Sequence, residues 1–515
     1  MNNNKRIIKN TLFLYIRMIF TMGVSLYTSR LVLETLGIED YGIYNIVAGV
    51  IVMFGFLNAS MSGATSRFLT FELGKGNRKS LLKTFSASLT VHFIIAGIIL
   101  ILGETFGLWW MNTKLVINPT KLYAAQWVYQ FSIISAMFSI IQVPYNAMII
   151  AHEKMNIYAY IEIFNSSLKL GIILLLNIIN YDKLILYAFL ILCVSAIITI
   201  IYRICCIKII SPFKFNLKWN KEVILPMLNF STWDLYGNMS VIAKTQGVNM
   251  LLNLFFGVLV NAAYGIANQV QGAVNSFSSN FLLATRPQVM KYFASGEIEK
   301  MKSLMNNSSK FAFILMYLLE LPFILECNFI LHLWLKKVPE YALVFTQLNL
   351  IPSLIYTLCS PMVYAIHASG KIKSFSFITG TIYLSVIPFS YFFLKMGFSP
   401  LIPYILNIVL MMILYIAVTL ILQCLLPQLS YGIISLKNAI LSLIMVVLSS
   451  IILIYIHNCF SEGWIRLIST CLLSILIIPS LSFFVLFDRK IRKKIIKLIM
   501  DKLIFLKNFL INKNI

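Results

Sequence analysis

Charged side chains stand inside several long apolar runs of this sequence. The basic ones are Arg17, Arg30, Lys169 and Lys244, and the acidic ones are Glu162, Asp234 and Glu320. Charge at bilayer depth is costly and normally faces a wet or protein-lined interior. Basic groups at several depths suit an anionic cargo such as a phosphate or pyrophosphate, because they bind it strongly where water is scarce. The carboxylates are candidates for proton or sodium coupling, since a desolvated carboxyl can take up a proton.

A stripe of polar residues follows one face of the predicted helix over 259–283. Its members are Tyr264, Asn268, Gln271, Asn275 and Ser278. Their spacing of three and four residues places them on one helix face. The stripe either supplies hydrogen bonds between helices or lines a polar cavity. We take Asn268, Gln271 and Asn275 as candidate substrate-binding residues.

Simpler explanations exist for some of these charges. Glu162 and Lys169 are seven residues apart on one helix face and could neutralise each other. Arg17 and Arg30 could extend to the nearest membrane surface. Lys169 is harder to explain in this way, because it lies beyond the middle of its predicted helix.

These residues must be positioned by helices that cross a membrane. The chain of 515 residues is 59% hydrophobic and 12% charged, with a mean hydropathy of +0.86. Its apolar runs have about 20 residues, the length of a transmembrane helix. We predict an all-α polytopic membrane protein with about fourteen spans. The predicted spans are 10–33, 43–63, 85–103, 122–143, 156–178, 184–206, 224–246, 259–283, 308–330, 342–363, 374–394, 400–423, 437–457 and 465–487.

The distribution of basic residues predicts the orientation. Most of the 42 Lys and Arg residues fall in loops on the side of the N-terminus or in the tail. The positive-inside rule then places both termini in the cytoplasm. The net charge of +24 faces anionic lipid headgroups and requires no nucleic acid. The basic tail 488–515 is predicted to lie as an amphipathic helix on the membrane.

The chain contains an internal repeat with an offset of about 220 residues. Leu36-Gly37 and Tyr41-Gly42-Ile43 recur as Phe256-Gly257 and Tyr264-Gly265-Ile266, and Arg67 matches Arg286. Spans one to six and seven to twelve therefore form two related bundles of the same orientation, with a binding site expected between them. The predicted domains are 1–207, 208–430, an additional pair of spans in 431–487 and the tail 488–515.

Signatures of catalysis do not occur in the sequence. It lacks the GxxxxGK[ST], HExxH and GxSxG motifs, its five histidines are far apart, and its eight cysteines have no metal-ligand spacing. We therefore predict no enzyme activity, no cofactor and no metal site.

The beginning of the chain resembles a known family. The residues are Ser29-Arg30-Leu31-Val32-Leu33, Leu36-Gly37, Tyr41-Gly42-Ile43-Tyr44 and the end of span two that contains Arg67. They resemble the bacterial polysaccharide-biosynthesis branch of the multidrug/oligosaccharidyl-lipid/polysaccharide (MOP) exporter superfamily. This resemblance implies a MATE-like fold with two bundles forming a V.

The resemblance also implies a function. It implies a flippase that moves an undecaprenyl-pyrophosphate-linked oligosaccharide across the bacterial inner membrane for O-antigen (lipopolysaccharide), capsule or exopolysaccharide synthesis, by ion-coupled alternating access. A polysaccharide polymerase would be a partner in the same membrane. In this view Arg17, Arg30, Lys169 and Lys244 attract the pyrophosphate and the polar stripe faces the sugars. Asp234 or Glu162 would couple transport to protons. These charges do not match a family motif one to one.

Three other functions stay open. A peptidoglycan lipid-precursor flippase would also have fourteen spans and a cationic cavity. A cation-coupled drug exporter of the same superfamily would normally have twelve spans and an acidic cavity. A scaffold without transport activity would need no charge in its spans.

Overall fold

The protein is built almost entirely of α-helices. The computed structural model describes residues 3–52, 55–114, 119–176, 178–179, 181–210, 220–335, 338–489, 491–493 and 496. The first half contains α1 (Asn3–Val52), α2 (Gly55–Lys75), α3 (Arg78–Leu102), α4 (Leu108–Lys114), α5 (Leu122–Ala151), α6 (Met155–Leu176) and α7 (Lys183–Ile210). The second half contains α8 (Lys221–Phe256), α9 (Val258–Ala294), α10 (Ile298–Leu325), α11 (Cys327–Leu335), α12 (Ala342–Ser369), α13 (Lys373–Lys395) and α14 (Ile402–Leu425), followed by α15 (Gly432–Asn458) and α16 (Trp464–Val485).

Membrane spanning is supported by helix length and composition. Within the described residues, eleven helical segments are long and apolar enough to cross a membrane. A helix is suited to that environment because it satisfies its own backbone hydrogen bonds. The other three predicted spans fall on α1–α2, α8 and α9, which carry more polar side chains. The predicted all-helical, polytopic fold class is confirmed.

The internal repeat is visible in the backbone. Gly37 interrupts α1 with φ +82° and ψ 168°. Gly257, at the matching position between α8 and α9, has φ +78° and ψ −173°. A side chain at either position would disfavour this backbone conformation, which explains why both copies have glycine. The same sharp bend therefore begins the second helix of each bundle.

Two lobes make up most of the molecule. Helices α1–α7 form the N-terminal lobe and α8–α14 form the C-terminal lobe. An apolar cluster joins them where α2 and α3 of the first lobe, represented by Met61 and Val91, pack with Met227 and Phe230 of α8. The exact domain boundaries stay predictions, and the predicted amphipathic tail lies mostly outside the described residues.

The last two helices are attached to the C-terminal lobe. Phe313 and Tyr317 of α10 pack in one cluster with Met445 of α15 and Ile478 of α16. At one end, the fully buried carboxylate of Glu326 contacts three groups from this pair. They are Arg466 Nε at 3.1 Å, His457 Nε2 at 3.2 Å and Thr470 Oγ1 at 3.2 Å. The pair is thus fixed to α10 by packing along its length and by a buried polar cluster.

Candidate substrate cavity between the two lobes

A polar cavity of about 950 Å³ lies between the lobes. Its wall is formed by α1 and α6 of the N-terminal lobe and by α9 of the C-terminal lobe. The polar and charged residues that line it include Arg17, Ser25, Thr28, Tyr158, Glu162, Asn165, Ser166, Lys169, Gln269, Ser276, Ser279, Asn280, Arg286 and Tyr364. The space is large enough for a substantial polar headgroup, since ligand pockets commonly have about 300–1,000 Å³.

Arg17 links the two lobes at the wall of this cavity. Its guanidinium donates to Tyr158 Oη and to Asn280 Oδ1, both at 2.6 Å. It also lies 4.9 Å from the centroid of the Tyr158 ring. These contacts fix the side chain between α1, α6 and α9, so it does not extend freely to a membrane surface.

Two further cations line the same cavity. Lys169 is an exposed residue of α6, and Arg286 of α9 lies 5.7 Å from the ring centroid of Tyr364. Among the described residues, neither makes an ion pair with a carboxylate within 4 Å. Both side chains therefore have N–H donors for an anionic ligand, with which a guanidinium or ammonium forms charge-assisted hydrogen bonds.

The lining contains one carboxylate, Glu162. Tyr202 Oη donates a hydrogen bond to Glu162 Oε1 at 2.7 Å. Within the described part of the chain, no ion pair joins Glu162 to Lys169. The neutralisation considered from their spacing is thus not formed in this conformation. The lining therefore carries three cations and one carboxylate, and Asp234 lies close enough to Arg286 for their charges to interact.

Lys244, Asn268 and Gln271 lie elsewhere, at a smaller cavity of about 60 Å³ inside the C-terminal lobe. Asn349 Nδ2 donates to Asn268 Oδ1 at 3.1 Å, and Gln271 Nε2 donates to the Asn349 carbonyl at 2.7 Å. The structure thus gives part of the predicted stripe a helix-to-helix bonding role. The side of α9 that faces the central cavity carries Ser276 and Asn280.

The remaining predicted site residues are dispersed. Asp234 accepts a hydrogen bond from Asn238 at 3.1 Å and lies beside Gly63 of α2, at the lobe interface. Glu320 is fully buried in α10, and neither of its carboxylate oxygens has a hydrogen-bond partner among the described atoms. Asn275 is partly buried. The side chain of Arg30 lies outside the described residues.

Sequence reasoning did not select Arg286 as a site residue. The predicted span 259–283 ends before Arg286, whereas α9 continues to Ala294. Arg67 lies beyond the predicted span 43–63 in the same way, but it is inside α2 and is buried. The match between these two arginines in the repeat was the signal that marked both positions.

Several polar contacts between the lobes gather at one face of the molecule. We call it the basal face and define it by the start of α1 and the turns at 152–154, 295–297 and 370–372. There the fully buried carboxylate of Glu153, in the N-terminal lobe, forms ion pairs with Lys291 Nζ at 2.5 Å and with Arg6 Nε at 2.6 Å. It also accepts a hydrogen bond from Gln288. Burial holds the pKa of the adjacent His152 below its usual range, so this imidazole is neutral near pH 7.

The repeat supplies a second contact across this face. Arg67 of α2 donates to the carbonyls of His367 at 3.2 Å and Ala368 at 3.0 Å, at the end of α12. The turn after α12 corresponds in the repeat to the turn that holds Glu153. Each lobe thus contacts the other lobe at a turn that has the same position in the repeat.

Comparison with solved structures places this architecture among known transporters. The chain is similar to a MATE protein in its bent conformation, with a TM-score of 0.71 and 14% identity over 84% of this chain and 98% of that one. It is similar to an outward-facing multidrug resistance MATE family transporter of the MOP superfamily, with a TM-score of 0.71 and 12% identity over 82% and 97%.

A third similar structure is a MOP superfamily transporter from Pyrococcus furiosus, described as having a binding pocket of reverse polarity that suggests a different function. Its TM-score is 0.65, with 14% identity over 81% of this chain and 96% of that one. No protein-family model matches the sequence, and no curated protein matches it.

The length and apolar composition of its helices make the chain a multi-pass membrane protein. More particularly, it has the fold of MATE and MOP-superfamily transporters, over more than four fifths of its length.

Proposed function

We propose that this protein is a flippase for a lipid-linked oligosaccharide that carries a pyrophosphate, in the cytoplasmic membrane of a bacterium. The observation that carries the proposal is the cavity between the lobes, where Arg17, Lys169 and Arg286 face a single carboxylate. A pyrophosphate is a dense anion that benefits from several cationic donors at once. The hydroxyl and amide groups of the lining suit sugar hydroxyls.

Access to the cavity would alternate between the two membrane sides. In the present conformation the lobes are tied at the basal face by Glu153 and Arg67. We place this face in the cytoplasm, because basic loops gather there. The conformation would then offer the cavity to the outer side, and breaking the basal contacts would admit the headgroup from the cytoplasm while the prenyl chain stays in lipid.

Ion coupling belongs to the same proposal. Glu320 is a buried carboxyl without a hydrogen-bond partner among the described atoms, and Asp234 and Glu162 lie at the lobe interface and the cavity. Such groups are candidates to take up a proton or a sodium ion during the cycle. A polysaccharide polymerase in the same membrane would consume the flipped product.

Export of cationic drugs fits this cavity less well. Three cations would repel a positively charged drug at close range. A peptidoglycan lipid precursor offers the same pyrophosphate as an O-antigen or capsule repeat unit. The two cargoes share the chemistry of the anion site, and the accumulated sugar distinguishes them.

A deletion strain tests the proposal. Undecaprenyl-linked sugars are radiolabelled, and surface polysaccharide is measured in the same cells. We expect linked repeat units to accumulate and surface glycan to disappear. Accumulated peptidoglycan precursor would identify the other cargo, and an unchanged lipid-linked pool with normal surface glycan would reject the flippase function in that strain.

Complementation of this strain tests the cavity. Lys169→Ala and Arg286→Ala should each lower export at least tenfold, because a hydrogen bond to a charged group contributes about 1.5–3 kcal/mol. The matched control is Lys395→Ala, an exposed lysine at the end of α13, which should export normally. Equal abundance in the membrane is verified by immunoblotting, and full export by both cavity variants would remove these cations from the mechanism.

A further inference from the structure

The small cavity inside the C-terminal lobe is a second potential ligand site. It has a volume of about 60 Å³ and lies among α8, α9, α12, α13 and α14. This space admits a small inorganic ion with a few waters, since about 10–15 Å³ holds one water, but no sugar. We propose that it binds a small monovalent anion of the chloride class.

Lys244 gives this cavity an uncompensated positive charge. Its Nζ donates to Asn407 Oδ1 at 3.1 Å and lies 5.1 Å from the centroid of the Tyr383 ring. Within the described residues, no carboxylate pairs with this ammonium within 4 Å. An ammonium has three N–H donors, and a partly buried cation without a counter-charge is costly. An anion in the adjacent space would relieve this cost.

Tyr404 supplies a second, independent observation. The residue is only 4% exposed, lines the same cavity, and its hydroxyl has no hydrogen-bond partner among the described atoms. Its ring is held against Phe345, with the centroids 4.5 Å apart. A buried hydroxyl without a partner costs about 1–3 kcal/mol, so a ligand that accepts a hydrogen bond from it is favoured.

Two amide oxygens in the wall of this cavity already accept hydrogen bonds. Asn407 Oδ1 accepts from Lys244, and Asn268 Oδ1 accepts from Asn349. Tyr264 Oη donates to the carbonyl of Thr245 at 2.8 Å, within the same wall. The ammonium of Lys244 and the hydroxyl of Tyr404 remain as donors. A cation is therefore disfavoured by charge, and an anion is favoured.

This site is separate from the substrate cavity. The two cavities share no residue in their linings, and α9 contributes a different face to each one. Anion binding at Lys244 therefore does not depend on the flippase proposal. In this inference Lys244 binds a small anion in the C-terminal lobe and does not contact the pyrophosphate.

The experiment measures thermal unfolding of the purified full-length chain in detergent, titrating sodium chloride against sodium gluconate at constant ionic strength. We expect the unfolding temperature to rise saturably with chloride, because a ligand that binds the folded state stabilises it. Lys244→Met should lose this rise. Tyr404→Phe keeps the ring and should raise the half-maximal chloride concentration about tenfold, as one lost hydrogen bond predicts.

Lys395→Met is the matched control. It removes one positive charge at an exposed helix end that lines neither cavity, and it should keep the full chloride response. The inference fails if the wild type responds equally to chloride and gluconate, or if Tyr404→Phe titrates like the wild type. If Lys244→Met does not fold, the chloride titration of Tyr404→Phe still tests the inference. A structure of the wild type in bromide is a further test, and absence of bromide density at this cavity would overturn the inference.

Discussion

Arg17 joins the two lobes and lines the cavity that we propose for the cargo. It reaches Tyr158 of its own lobe and Asn280 of the other with two different nitrogens. The planar guanidinium can do this because its donors point in fixed, divergent directions. An anion that competes for this group would weaken a bond between the lobes. Under the proposed function, binding and lobe separation would therefore be coupled at this residue.

Arg17→Lys tests this coupling. Lysine keeps the charge but cannot bridge the same two acceptors with a fixed fork. We expect export to fall about tenfold, because one hydrogen bond to a charged group is lost. Surface glycan in the complemented deletion strain is the measurement, with membrane abundance as the control. Export equal to that of the wild type would show that charge alone suffices at this position.

The sequence predicted part of this site for a clear reason. Arg17, Glu162 and Lys169 stand out because charge interrupts apolar runs. Arg286 was not recognised from its sequence context, because it follows the apolar stretch of α9 and lies after the predicted end of the span at 283. The helical period correctly grouped Asn268 with Gln271, but a period does not reveal which neighbouring helix a face will contact.

The basal end of α9 carries the buried polar contacts that join the lobes at the basal face. Lys291 and Gln288 from α9 meet the buried Glu153 on the turn between α5 and α6, together with Arg6 of α1. Removing one member of a buried ion pair leaves the others without compensation and costs about 3–5 kcal/mol. The exposed pair of Lys83 and Glu222 also joins the lobes, at 2.8 Å, but exposed pairs contribute little.

Glu153→Ala should therefore open the basal face. Spin labels at positions 79 and 299, both exposed, would report a larger population of long distances in a background without the eight native cysteines. Glu222→Ala is the control and should leave the distance distribution as in the parent. Identical distributions for the two variants would exclude Glu153 as the main closing contact.

The whole molecule has an orientation that can be measured. Lys79 lies at the start of α3 on the basal face, and Lys395 lies at the end of α13 on the opposite face. We expect Lys395→Cys to react with a membrane-impermeant thiol reagent in intact cells, and Lys79→Cys to react only after permeabilisation, both in the background without native cysteines. The reverse pattern would invert the assignment that rests on basic loops.

At this scale the sequence was most informative. The repeat correctly indicated two similar lobes, because the bends at Gly37 and Gly257 require glycine in each copy. Hydropathy identified the lipid-facing helices, whose surfaces must be apolar. It was least decisive for α2, α8 and α9, because helices that line a polar interface carry the side chains that lower hydropathy.

The attachment of α15 and α16 to α10 makes the two halves mechanically unequal. Glu326 and the apolar cluster around Tyr317 hold this pair to one lobe, and its outer surface exposes large apolar residues such as Ile433 and Ile465. The added perimeter increases the viscous drag of the bilayer on that lobe alone. In a rocking motion, the N-terminal lobe, which has less drag, would then move further through the surrounding lipid. The C-terminal lobe, with α15 and α16 attached, would move less.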